Sequence, residues 1–219
     1  MPVSYHIDSA LYSIAQLQRD LLGRELIPSR RPLLDGLEEK IMRLEKAGIH
    51  SLHALLAYLN DRRRIEELSD LTGIELTYLN LLRREVNSYF PNPVSLNRFP
   101  GIDPAAVAIL AERGLKNSRH LFERIASDPD LAALSREAGI KEEMLQELRG
   151  LSDLARAYGV GPVFARMLYD IGIHSLKELG EYSPQEVILL YEKQTGKKAD
   201  FTISDLSFSL ALIHILDPK

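Results

Sequence analysis

ARAYGVGPVFARMLYDIGIHSLKEL, residues 155–179, holds two turns and the helix between them. Gly159-Val160-Gly161-Pro162 reads as a tight turn that feeds a helix. Glycine tolerates positive φ and close approach of a neighbour. Proline suits the first helical position, where a missing N–H costs nothing. Asp170-Ile171-Gly172-Ile173 then ends that helix on a C-terminal glycine, and Ser175 caps the next one. The stretch is helix, hairpin, helix.

Working outward, the same punctuation recurs. Gly36, Gly48 and Gly73 are followed by Gly101, Gly114 and Gly139 at offsets of 65, 66 and 66 residues. Gly159 and Gly172 come 58 residues after Gly101 and Gly114, and Gly196 comes 57 after Gly139 as a poorer match. A period of this length marks a repeated supersecondary unit. Asn87 to Pro93 supplies the extra residues between the first two copies. The apolar positions agree too: Leu44, Leu110 and Leu168 each precede a closing glycine by four residues, a spacing that points them at the hairpin partner. Ser51, Asn117 and Ser175 stand three residues after those glycines as helix caps. Alternating runs bounded by hairpin turns are absent, so the fold class expected is all-α. The division expected is an N-terminal helix and connector over 1–32, then units at 33–96, 97–154 and 155–219.

At the start, Ile7, Leu11, Ile14, Leu17, Leu21 and Leu22 form an amphipathic helical pattern, with Asp8 or Ser9 as its cap. Residues 27–32, IPSRRP, read as an extended connector, because both prolines disfavour helix in the residue before them. Its Arg30-Arg31 pair reads as solvated surface. At the other end, Leu206, Leu210 and Ile213 behind Ser204-Asp205 predict a last helix.

The 219 residues carry 27 Lys and Arg against 31 Asp and Glu. No segment hides a basic domain: 7 basic residues face 9 acidic ones in 151–219. A polyanion site therefore has to be a local patch or be built from backbone N–H groups. There is no cysteine, which removes disulfide and thiolate chemistry. Neither a leader nor a long apolar run stands out, so no membrane association and a cytoplasmic location are expected.

A Gly-x-Gly turn opening a helix presents unpaired N–H groups at the positive end of the helix dipole. On those residues, 155–179 resembles the helix-hairpin-helix of DNA polymerase beta-type enzymes. The tandem arrangement resembles an uncharacterised family of bacterial helix-hairpin-helix proteins with SAM-like units of short helices. The resemblance implies sequence-independent binding of single- or double-stranded DNA. Phosphates would meet the N–H groups of Gly159, Gly161, Val163 and Phe164 around Val160, with Arg156 and Arg166 nearby. It also implies a monovalent cation, K+ or Na+, on the carbonyls of Ala155, Ala157 and Val160. Two copies depart from this pattern. Asp103 replaces the second glycine of the second copy, where a carboxylate caps the helix at Pro104 and repels phosphate. Glu38 and Glu39 follow Gly36 in the first copy. Those two hairpins are expected to be structural.

Other constellations weigh less. Arg62-Arg63-Arg64 is flanked by Asp61, Glu66 and Glu67, the composition of a salt-bridged solvated face. His50 and His53 lack a third metal ligand at matching spacing. Tyr158, Tyr169, Tyr182 and Tyr191 fit a helical core better than a stacking platform. Glu142-Glu143 has no convergent histidine, and the clustered aspartates of a nucleotidyl-transfer site are missing. The expectation is a non-catalytic DNA-binding protein. Its alternative is a protein–protein interaction scaffold that has kept the fold without DNA binding.

Overall fold

The computed structural model describes residues 4–23, 25–127 and 130–216, and within them the chain is all-α. Among the described residues the extended pairings are two isolated bridges, Ser13 with Ser51 and Ser95 with Asn117. The chain divides into two compact units. One is Ile7–Phe90; the other combines the described residues of 1–6 with those of 91–219.

In the Ile7–Phe90 unit, α1 (Ile14–Gly23) leads through a 3-10 helix (Pro28–Leu34) to α2 (Leu37–Lys46), α3 (Leu52–Leu59), α4 (Arg62–Thr72) and α5 (Leu76–Asn87). The other unit contains α6 (Pro104–Glu112), α7 (Ser118–Ser127), α8 (Leu131–Ala138), α9 (Glu142–Leu154) and α10 (Pro162–Asp170). It continues with α11 (Leu176–Leu179), α12 (Pro184–Thr195) and α13 (Ile203–Leu216). The expected segments 97–154 and 155–219 thus fall together, because one apolar core runs from Val94 and Leu96 through Leu148 and Leu168 to Ile213.

The described glycines with positive φ are Gly36, Gly48, Gly73, Gly101, Gly114, Gly139, Gly159, Gly172 and Gly196, the nine that the spacing picks out. The local bonds around them match as well. Ile49, Leu115 and Ile173 donate their N–H to the carbonyls of Leu44, Leu110 and Leu168 at 3.0, 2.9 and 3.0 Å, the six-residue closure of a Schellman turn. Leu44, Leu110 and Leu168 are fully buried. Ser51 accepts from the N–H of Ala54, Asn117 from that of His120, and Ser175 from that of Glu178. Ser69 and Ser135 donate their hydroxyls to the carbonyls of Ile74 and Ile140 at 2.7 and 2.6 Å.

Several expectations change. Helix α1 starts at Ile14, behind a Ser13 cap that accepts from the N–H of Gln16. Asp8 instead closes a turn with Ala10, and Leu11 stands 70% exposed. The proline-flanked connector is a 3-10 helix rather than extended, since proline at a first helical position is as compatible with helix as with a bend. Its Arg30 is buried against the fully buried Glu85, with Nε 3.2 Å from Oε2; Arg31 is solvated. The cap of α13 is Thr202, whose hydroxyl accepts from the N–H of Asp205 while Asp205 accepts from the N–H of Thr202. That reciprocal pair puts the helix start at Ile203, two residues earlier than a cap at Ser204 would. The basic run at Arg62 is solvent-facing, and Asp61 caps α4 through the N–H groups of Arg63 and Arg64.

Tyr5 and His6, near the start of the described residues, belong to the unit that contains 91–216. Tyr5 is fully buried and its hydroxyl lies 2.7 Å from that of Ser118; burial pushes the phenol up to about 12. His6 Nε2 is 2.8 Å from the carbonyl of Pro91. Burial, the largest influence, holds its imidazole below the ordinary 6.5, against the opposing pull of the Pro91 bond. The unfolded chain therefore binds the proton first as pH falls. The contribution of His6 to stability is complete above its ordinary 6.5 and is lost as pH drops from there toward the lowered folded value. Urea midpoints measured across that window are expected to fall with pH for the native chain. His6→Gln should flatten this part of the profile.

Candidate binding site at the third hairpin

Helix α9 ends at Leu154, and the backbone turns through Ala155 to Gly161 before α10 begins. Gly159 has φ of 80°, a conformation that disfavours any side chain there. Val160 is buried, and its N–H donates to the carbonyl of Ala157 at 3.1 Å. The N–H of Gly161 points to the carbonyl of Gly159 at 3.2 Å. On its inner side the turn is covered by α13: the Ser209 hydroxyl donates to the carbonyl of Tyr158 at 2.6 Å and sits 3.2 Å from where a Gly159 Cβ would be.

Gly161 is the N-cap residue of α10, with no side-chain cap, and Pro162 follows it. The N–H groups of Val163 and Phe164 therefore have no acceptor among the described residues. Val163 is 70% exposed. In the second hairpin, Asp103 accepts from the N–H of Ala105 at 2.9 Å, as the sequence predicts. The first hairpin has Gly36 itself as N-cap, in the left-handed region.

The two arginines do not form a phosphate rim. Arg156 is buried. Its Nη1 is 2.6 Å from Asp153 Oδ1, Nε donates to the carbonyl of Tyr5 at 3.0 Å, and Nη2 donates to that of Leu216 at 3.3 Å. The guanidinium also lies over the Phe122 ring, 4.2 Å from its centroid. This overturns the expectation that Arg156 meets an outside anion, because the side chain is buried and Nε, Nη1 and Nη2 each donate to an acceptor inside the fold. Arg166 pairs with Glu147 and with Asp170, the latter at 3.1 Å, and donates from Nε to the carbonyl of Pro100 at 2.9 Å. Burial alone would lower its pKa; the bonds to Glu147 and Asp170 outweigh that and raise it. Arg166 thus ties α10 to α9 and to the second hairpin.

The proposed cation carbonyls also diverge. That of Ala155 accepts from the buried Tyr5 hydroxyl at 3.3 Å, and that of Ala157 from Val160. Two of the three carbonyls are thus engaged inside the fold, and Ala155, Ala157 and Val160 are all buried. Among the described residues no three His, Cys, Asp or Glu gather as metal ligands. None of the described helices is long and apolar enough to cross a membrane.

What the sequence did not reveal is a recess of about 620 Å³ along α10, bordered by the end of α12 and by Asp200 and Phe201 in the loop that follows it. Phe164, Met167, Tyr191 and Phe201 supply its apolar lining. Phe201 meets Phe164 and Tyr191 edge-on, each pair with ring centroids 5.3 Å apart. Phe201 lies outside the helical periodicity, beyond the reach of the pattern that located the other apolar residues.

Residues 100–203 match the family described as Domain of unknown function (DUF4332). The match opens at the second hairpin, contains the third hairpin and all of the recess lining, and covers a little under half of the chain. The comparisons with curated proteins and with solved structures yielded no significant match.

Proposed function

We propose that this protein is a non-catalytic interaction module of the helix-hairpin-helix kind, and that its third hairpin engages another protein rather than a nucleic-acid backbone. One observation carries the reading: beside the hairpin lies an aromatic recess, while the two arginines a phosphate would need are held by Asp153 and by Glu147 with Asp170. A concave apolar surface with a few polar groups at its edge is the usual form of a binding site. Phosphate contacts instead demand unengaged cations or donors.

A second reading, sequence-independent DNA binding, is favoured by the open N–H groups of Val163 and Phe164 at the start of α10. Such amides position a backbone without reading bases.

A gel shift with duplex and single-stranded DNA across a salt series decides between them. The protein-binding reading expects no shift at low micromolar chain. A shift that weakens steeply with salt and is lost in Gly161→Asp would replace it with the DNA reading. Gly161 has φ of −76° and nothing within 4 Å of a Cβ position, so that variant is expected to fold.

A further inference from the structure

Residues 4–6 stand apart from the helices around them. They form no helix, Ser4 is exposed and His6 is half-buried, yet Tyr5 between them is fully buried. Ile7, the next residue, already belongs to the other compact unit. The hydroxyl, carbonyl and ring of Tyr5 meet Ser118, Ala155, Arg156 and Phe122, 113 or more residues along the chain. One anchor side chain in a pocket, with a main-chain bond beside it, is how a peptide docks on a folded surface.

The pocket reads the tyrosine at both ends. Ser118 Oγ accepts from the N–H of Val94 at 2.9 Å, which leaves its own proton for the Tyr5 oxygen 2.7 Å away. The phenol proton goes in turn to the carbonyl of Ala155 at 3.3 Å. The Tyr5 hydroxyl is thus used once as acceptor and once as donor. Phenylalanine in its place would leave the Ser118 proton and the Ala155 carbonyl without that partner. At the main chain, Arg156 Nε donates to the Tyr5 carbonyl at 3.0 Å. Phe122 meets the ring edge-on, with centroids 5.8 Å apart. His6 Nε2, 2.8 Å from the Pro91 carbonyl, pins the segment where the chain leaves and re-enters this unit.

Ser118, Phe122, Ala155 and Arg156 all lie inside the family match of 100–203, and Tyr5 lies outside it. The pocket belongs to the matched domain, whereas its occupant comes from elsewhere in the chain.

We propose that the 91–216 unit carries a pocket specific for a tyrosine residue, and that residues 4–6 are a strap that fills it reversibly as a tethered ligand. The pocket is separate from the recess along α10 and does not depend on what the third hairpin engages. Because the strap is covalently held, an effective concentration of about millimolar keeps the pocket closed against a free segment. When the strap lifts, Arg156 Nε loses its acceptor, and Ser118 and Phe122 lose the side chain packed against them.

The test uses the full chain carrying Tyr5→Ala and a labelled peptide of residues 4–10, Ser-Tyr-His-Ile-Asp-Ser-Ala, followed by fluorescence anisotropy. Tyr5→Ala is expected to bind this peptide, and to bind the same peptide with phenylalanine for tyrosine about tenfold or more weakly. The native chain, with its strap in place, is expected to bind the tyrosine peptide about tenfold or more weakly than Tyr5→Ala does. Where Tyr5→Ala is unfolded by itself, refolding on addition of the peptide, followed by circular dichroism, gives the same reading. No binding or refolding at about 1 mM peptide, equal affinity for the two peptides, or equal affinity of the native and Tyr5→Ala chains overturns the proposal.

Discussion

Arg156→Ala is expected to destabilise the 91–216 unit by about 3–5 kcal/mol, the range for removing one partner of a buried ion pair. The reason is convergence. Asp153 takes Arg156 on Oδ1 and the N–H of Leu176 on Oδ2, so the same carboxylate orients the start of α11. The carbonyls of Tyr5 and Leu216 are held by Nε and Nη2, and the Phe122 ring backs the guanidinium. Alanine leaves Asp153 and two carbonyls without these donors and opens a void over Phe122. Arg156→Lys should recover little, because an ammonium lacks the planar fork that reaches three acceptors at once. Urea unfolding checks this: a midpoint close to that of the native chain for Arg156→Ala would show that the cluster contributes nothing net. Were Arg156 a surface phosphate contact, the same substitution would leave stability almost untouched.

Gly150→Ala is expected to cost about 1–3 kcal/mol, or more if the backbone cannot shift, through overpacking. In an exposed helix the substitution would stabilise, so even the sign is diagnostic. Gly150 lies in α9 where a Cβ would come within 2.7 Å of the His174 carbonyl oxygen and 2.7 Å of Tyr169 Cε2. The Tyr169 ring itself lies against His174, tilted by 55° with centroids 4.4 Å apart. The carbonyl belongs to the turn that follows Gly172 and cannot swing aside as a long side chain can. Gly161→Ala is the contrast: open space and an ordinary φ make it near-neutral, because the gain from a stiffer unfolded chain is offset by the poor fit of alanine at the N-cap of α10. Thermal or urea unfolding of the two variants side by side gives the comparison. Equal midpoints would mean that α9 does not approach the Gly172 turn as closely as described.

The match to a family of unknown function begins at Pro100 and ends at Ile203, so it frames α6–α12 and the third hairpin while leaving out α1–α5.

Read alone, the amino-acid sequence determined the all-α class, the positions of the left-handed turns and the main caps. Each of these depends on a handful of contiguous residues: a glycine where φ is positive, a serine whose hydroxyl reaches an N–H three residues on, a leucine four residues before the stop. Asp103 was legible for that reason. The tertiary structure decided what local spacing cannot reach. Arg156 and Arg166 sit beside the Gly159 turn in sequence, yet besides the nearby Asp153 and Asp170 their partners are the distant Tyr5, Leu216, Glu147 and Pro100. The recess needs Phe201 brought against Phe164, and the close approach at Gly150 needs His174. Those outcomes depend on which distant side chains are packed together, and burial and ion pairing are properties of that packing rather than of the chain's order.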